Sequence, residues 1–441
     1  MASVSGAASA ATSVTLYGIV DAHYNYTTGS ERSGAVYFVD EDGDRSTTPV
    51  FHAILAADGQ ARNGTSVAAT GLPNIGTINN VSFSQSNGKK LIQKDGGLDG
   101  SRIGVRGNED LGNGLSAIFE VETRFNLDNG SVNGIDHSYV GLKGKFGEVT
   151  IGKRANIADD LIGMDGVAKE LGTSFSGVWN NNLSYRGTFG GLTVGADLTT
   201  RENAATYQTT VGVNTSGYVN AVGGLENSGV KGSPQFALGA KYNFLNGKAT
   251  VAAAYQHDSF GKNAFGLGAS YDFGMVTAYT RYTQSKQKIN SIEIDSANTI
   301  SLANQDSLDR KIKTKDWSVG ADIKFTPRDT LGLAVSQASA TNFARYTDFG
   351  GVHPMTTPVY AGHEAHEIKT KSTKLSMVYT HDMSKRTTLY AMLDYTRTKS
   401  KGEARIYQSL EGVSTYTGSY IVPSHTSGKA TTFGVGVRHK F

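Results

Sequence analysis

The chain of 441 residues carries 42 Lys plus Arg against 39 Asp plus Glu, and a net charge of +3 excludes the strongly basic field of a nucleic-acid binder. It has no cysteine, so a disulfide framework and thiol chemistry are both excluded, and its 54 glycines show no Gly-X-Y period that would make collagen. Mean hydropathy is −0.30 and no apolar run approaches the roughly 20 residues of a membrane-spanning helix, a reading also given by a barrel that shows lipid only every second side chain.

Residues 1–12 are rich in Ala and Ser and lack a basic region followed by an apolar core. They read as a residual N-terminal segment next to a removed export signal. From residue 13 to residue 441 the chain reads as one unit built of strands of about ten residues with period-2 alternation. In one of them Phe236, Leu238, Ala240, Tyr242 and Phe244 alternate with Gln235, Ala237, Gly239, Lys241 and Asn243. A second sets Trp317, Val319, Ala321, Ile323 and Phe325 against Asp316, Ser318, Gly320, Asp322 and Lys324, and a third sets Phe433, Val435, Val437 and Phe441 against Gly434, Gly436, Arg438 and Lys440. A helix would group its apolar residues at i, i+3 and i+4 instead.

Short turns are predicted at 110–114, 143–147, 188–191, 244–247, 272–274, 326–329 and 382–386, most of them supplied with the Gly, Asn or Asp that tight turns need. Long polar segments alternate with them: 28–98, 155–180, 202–232, 287–313, 340–370 and 399–428, with a shorter one at 259–263. Seven turns join seven hairpins, and one strand at each end makes sixteen, which puts both termini on the short-turn side. A soluble β-sandwich would also alternate, but here the opposite parity is too small and polar to form a core. The predicted fold is therefore all-β: a closed 16-stranded antiparallel transmembrane barrel with lipid outside and water inside.

Four segments carry a resemblance: Ser13–Asp21 (SVTLYGIVD), 101–122 (SRIGVRGNEDLGNGLSAIFEVE), 139–152 (YVGLKGKFGEVTIG) and the closing Phe433–Phe441 (FGVGVRHKF). They resemble the general outer-membrane porins of Gram-negative bacteria, especially the β-proteobacterial ones. The resemblance implies a homotrimer in the bacterial outer membrane, surrounded by lipid and lipopolysaccharide. It implies passive diffusion of small ions and solutes without a cofactor, and a third loop folded inward as a constriction, here 155–180. It also implies that Phe441 serves as the signal read by the barrel-assembly machinery. The first loop, 28–98, is longer than the family leads one to expect.

Selectivity in such a pore follows from its width and from the charges at its narrowest point. Parity turns Arg102 and Arg106 to water if Ile103 and Val105 face lipid, and turns Glu120, Glu122 and Arg124 to water if Phe119, Val121 and Phe125 face lipid. Asp21, Asp136, Arg154 and Arg186 complete the candidate wall; Asp159, Asp160, Asp165 and Glu170 are the candidate acids of the loop. By resemblance Arg102 matches a wall arginine and Glu122 an acidic lumen position. Asp136 and Val178 stand where the family carries arginines, which implies a weaker anion preference than in members with the full basic cluster.

Rival chemistry is thinly supported. His363, Glu364, His366 and Glu367 lack the His-Glu-x-x-His spacing of a zinc protease, and no Ser-His-Asp set or phosphate-binding glycine loop is recognisable. The alternatives kept open are a substrate-selective channel and, more remotely, an adhesin, a receptor or a membrane hydrolase on the same barrel.

Overall fold

A computed structural model describes residues 12–33, 37–39, 45–46, 85–163, 166–175, 177–200, 203–213, 219–231, 234–258, 261–289, 308–346, 360–410 and 417–441. Its strands are β1 (Thr12–Ser33), β2 (Tyr37–Val39), β3 (Arg45–Ser46), β4 (Gln85–Asp95), β5 (Arg102–Gly112), β6 (Leu115–Phe125), β7 (Val132–Gly144) and β8 (Gly147–Ala155). A short helix, α1 (Ile157–Ile162), precedes β9 (Val178–Phe189), β10 (Leu192–Thr199), β11 (Asn203–Val213), β12 (Val219–Lys231), β13 (Gln235–Phe244) and β14 (Ala249–His257). The remainder are β15 (Lys262–Asp272), β16 (Val276–Ile289), β17 (Leu308–Lys324), β18 (Asp329–Tyr346), β19 (Tyr360–Asp382), β20 (Thr387–Leu410) and β21 (Thr417–Lys440).

Neighbouring strands pair antiparallel, and β1 pairs with β21 to close the sheet into a cylinder. Phe441 and Gly18 exchange both backbone hydrogen bonds at 3.0 Å across this seam. β4 and β5 both pair with β1, over successive stretches, and so form one interrupted strand. Counted that way the barrel has sixteen strands. β2 and β3 are short additions near β21, and β11–β12 is a separate hairpin.

The two parities meet different surroundings. Val14, Leu16, Phe119, Val121, Leu238, Val251, Leu267 and Val319 point outward and are 38–62% exposed. Such a continuous apolar surface would be untenable in water, and the closed ladder satisfies the backbone groups that hydrocarbon cannot. At the short-turn end Phe146, Phe189, Phe273 and Phe325 form an exposed aromatic rim of the sort that sits at a membrane interface.

All seven predicted short turns fall where hairpins turn. Asn113 and Gly114, and Leu245 to Gly247, take the positive φ angles that tight connections demand. The long segments are shorter at their edges than predicted: residues 28–33 and 85–95 are strand, β16 runs to Ile289, β18 to Tyr346, and β20 to Leu410. Beyond the bilayer the outer face need no longer be apolar, so alternation fades while the ladder continues. Thr370 with Ser400 (2.8 Å) and Ser372 with Thr398 (2.9 Å) mark this polar extension. Within 202–232, predicted as a loop, β11 and β12 pair with each other. His363, Glu364 and His366 lie along β19, but their side chains fall outside the described residues.

Candidate pore constriction

The chain leaves the wall after β8, and residues 156–163, 166–175 and 177 lie across the inner face of the barrel before the chain rejoins the wall as β9. Asn156 starts this path. Its side-chain oxygen accepts from the Ala158 and Asp159 backbone N–H groups at 2.8 and 3.2 Å and caps α1. Its amide nitrogen donates to Gln256 at 3.2 Å. The Ile157 N–H donates to buried Asp197 on β10. Ile157, Ala158, Leu161 and Ile162 are then buried with Ala237, Ala252 and Ala254 of the wall. Small wall residues make this approach possible: any side chain at Gly195 would collide with Ile157, and at Gly266 with Phe175.

Further along, the segment is tied down strand by strand. Val167 N–H donates to Asp322 on β17 at 3.1 Å, Leu171 N–H to Ser336 on β18 at 2.9 Å, and Ser174 N–H to Thr283 on β16 at 3.1 Å. Arg281 donates to the Leu171 carbonyl at 3.0 Å and pairs with Glu170 at 3.1 Å, both side chains nearly fully buried. The segment thus covers the wall from β9 toward β20. It leaves open the arc made by β1 and β5 to β8.

That arc carries a ladder of mixed charge. On β5 and β6 the register sets Arg106 opposite Glu120 and Arg102 opposite Arg124. Glu122 accepts from Tyr17 at 3.1 Å and lies 3.6 Å from Arg102. Glu120 accepts from Tyr139 at 3.1 Å and lies 2.9 Å from His137 Nδ1. Arg106 sits over the Tyr17 ring at 5.1 Å. Arg124 pairs with Asp136 at 2.7 Å, and Arg154 with Glu148 at 2.6 Å. Arg154 also stacks on Tyr139 at 4.6 Å. These groups border an open pocket of about 430 Å³ that includes Arg102, Arg106, Glu120, Glu122, Arg124 and Lys440.

Parity turned Arg102, Arg106, Glu120, Glu122 and Arg124 inward, and these side chains border the pocket; Arg154, a further candidate, pairs inward with Glu148 and stacks on Tyr139. Asp136 reaches that face by a bulge: Glu122 pairs with His137 and Thr123 with Ile135, so Asp136 is extra and turns inward beside His137. Arg186 faces inward and pairs with Asp160 of the crossing segment. Asp159 accepts from Thr173 at 2.8 Å. Two expectations need correction. Asp21 faces inward but is fully buried under residues 97–99, and Glu170 is buried against Arg281 instead of lining the opening. Asp165 lies outside the described residues.

Sequence reasoning missed Tyr17, His137, Tyr139 and Glu148. For Tyr17, Tyr139 and Glu148 the signal was the same parity that placed their neighbours. Ligand atoms of Glu120, Glu122 and His137 lie within 4.8 Å of one another, as a metal ion would require. All three already have hydrogen-bond or ion-pair partners, however, and three guanidinium groups line the same pocket. The set fits an ion-pair network better than a cation site.

Comparison with known proteins agrees with this geometry. The family model described as Gram-negative porin matches residues 1–401. An outer membrane porin protein of Bordetella pertussis is 26% identical over 475 aligned positions, covering 100% of this chain and 97% of that one. Outer membrane porin protein 32 of Delftia acidovorans is 26% identical over 418 positions, covering 88% and 98%. The solved anion-selective porin from Comamonas acidovorans shares the fold with a TM-score of 0.55 at 19% identity, over 98% of this chain and all of that one. With a family match over most of its length, a closed sixteen-stranded barrel and an inward segment facing a charged wall, the chain belongs to the Gram-negative porin family and is an outer-membrane β-barrel.

Proposed function

We propose that the chain is a general porin, a water-filled channel through which small hydrophilic solutes and ions diffuse passively. The observation that carries this reading is the open, charge-lined pocket on the inner face of β1 and β5 to β7, here called the eyelet, in a barrel whose crossing segment is anchored on other strands. Its side chains act as fixed charges and carry out no chemical step, so the reading is non-enzymatic. The wall members are Arg102, Arg106, Glu120, Glu122, Arg124, Asp136 and Arg154, with Arg186 on neighbouring β9 and Asp159 and Asp160 on the crossing segment. Because nearly every charge there has an opposite partner, the field at the opening is close to balanced, and ion selectivity is weak. Membership of the family supports assembly as a homotrimer with lipid and lipopolysaccharide around it. Phe441 is the residue through which the assembly machinery engages the closing strand.

Planar-bilayer recording of the purified protein tests the whole reading. Conductance steps in groups of three and swelling of protein-bearing liposomes in small sugars are the expected results. A folded barrel that passes neither ions nor sugars would overturn it.

A further inference from the structure

We propose that residues 96–99 are a second inward element of the channel, closing the eyelet beside Val167 and Ala168 of the crossing segment, and that buried Asp21 is the positioning residue that holds them there. This rests on the channel reading above and adds a determinant of pore size to it.

The element arises from a mismatch of length. Ala22 pairs with Asp95 and Ile19 with Arg102, so residues 96–101 stand opposite only Val20 and Asp21. The excess chain leaves the ladder, as an enlarged bulge does. It turns inward: Leu98 is 4% exposed and shares a buried cluster with Ala168 of the crossing segment and with Ala334, Val378, Tyr390 and Met392 of the wall. Val167 packs against the same cluster. A porin wall facing water has no need of such an apolar patch; here it is the place where the two inward elements converge.

Asp21 clamps both ends of the excursion. Its carboxylate accepts from the Leu98 and Asp99 N–H groups at 2.8 and 2.7 Å and from the Tyr390 hydroxyl at 2.5 Å. Its carbonyl accepts from Gly96 N–H at 2.9 Å, and its own N–H donates to buried Ser101 at 2.9 Å. Gly96 has φ +73°, and a methyl group at Gly97 would collide with the Tyr390 hydroxyl, so glycine is required at this turn. On the water side Asp99 pairs with Arg438 at 2.7 Å, and exposed Lys169 lies within electrostatic reach of Asp99. The eyelet is then ringed by three parts: the charged ladder, the crossing segment and this short strut.

The test compares Asp21→Asn, Leu98→Ala and a Leu98→Cys/Ala168→Cys pair with the parent, using single-channel recording and liposome swelling in sugars of increasing size. Native-gel mobility before and after heating checks that each barrel is folded. The parent has no cysteine, so the pair carries only the two new thiols. Expected are noisier open states and entry of larger sugars for Asp21→Asn and Leu98→Ala. For the thiol pair, a short bifunctional thiol reagent is expected to restore quiet openings and the parental size limit, and reduction to reverse this. Folded Leu98→Ala barrels with parental noise and size limit, or a thiol pair whose bridging changes neither, overturn the strut. Should Asp21→Asn fail to fold, Leu98→Ala and the thiol pair decide. A parent that conducts nothing overturns the channel reading instead.

Discussion

Asp136 offers a direct measure of how the eyelet sorts ions, because it stands on the water face and cancels Arg124 at 2.7 Å. Replacing it by Arg changes the local charge by two units. A unit charge about 5 Å from a passing monovalent ion in water contributes about 0.8 kcal/mol. Screening over that distance leaves about 60% of it at 0.1 M salt and about 20% at 1 M. The swap is therefore worth about 1 kcal/mol for each ion at 0.1 M, favourable for chloride and unfavourable for potassium. The chloride-to-potassium permeability ratio should rise roughly thirtyfold at 0.1 M and about threefold at 1 M. Reversal potentials under a KCl gradient, recorded at both mean concentrations, read the ratio directly. An unchanged ratio at low salt refutes the placement of Asp136 at the opening. A shift of equal size at both concentrations refutes the electrostatic account and points to a change of shape.

Three further outcomes follow from the same geometry. Glu170→Gln removes the buried carboxylate that pairs with Arg281 at 3.1 Å, weakens the anchoring of the segment, and should appear as frequent current flicker and a lowered temperature of the heat-induced mobility shift. Gly195→Val drives a side chain into Ile157, costing about 1–3 kcal/mol, and should displace α1 and alter open-channel conductance while leaving the barrel folded on native gels. Phe441→Ala should lower the amount of heat-modifiable protein recovered in outer membranes, with little effect on the conductance of those barrels that do form.

Much of the fold was legible because one physical fact repeats in every strand: alternate side chains face hydrocarbon and water. Phe236, Leu238 and Tyr242 declared their face, and the residues between them declared the other. The turns were equally plain, since positive φ at Asn113 or Gly247 restricts which residues fit. What failed had weaker local signals. The polar ends of β18 to β21 carry no apolar alternation, so their ladders were hidden. The bulge at Asp136 depends on pairing with β6, which no single strand reveals. Asp21 was correctly turned inward, but its cover, residues 97–99, comes from far along the chain. Glu170 looked like any loop acid; only its meeting with Arg281, more than a hundred positions away, buries it. The capped helix α1 is under two turns long and makes sense only against the alanines of β13 and β14.

The reciprocal pairing of Gly18 with Phe441 also bears on biogenesis. The partner of the opening strand lies more than four hundred residues further along the chain, so the ring cannot be sealed before that distant stretch has been made. Until then, any nascent array of these hairpins presents two unpaired edges and an apolar exterior, the combination most prone to aggregate. Export must therefore keep the polypeptide unfolded, and sealing must await its arrival at the bilayer.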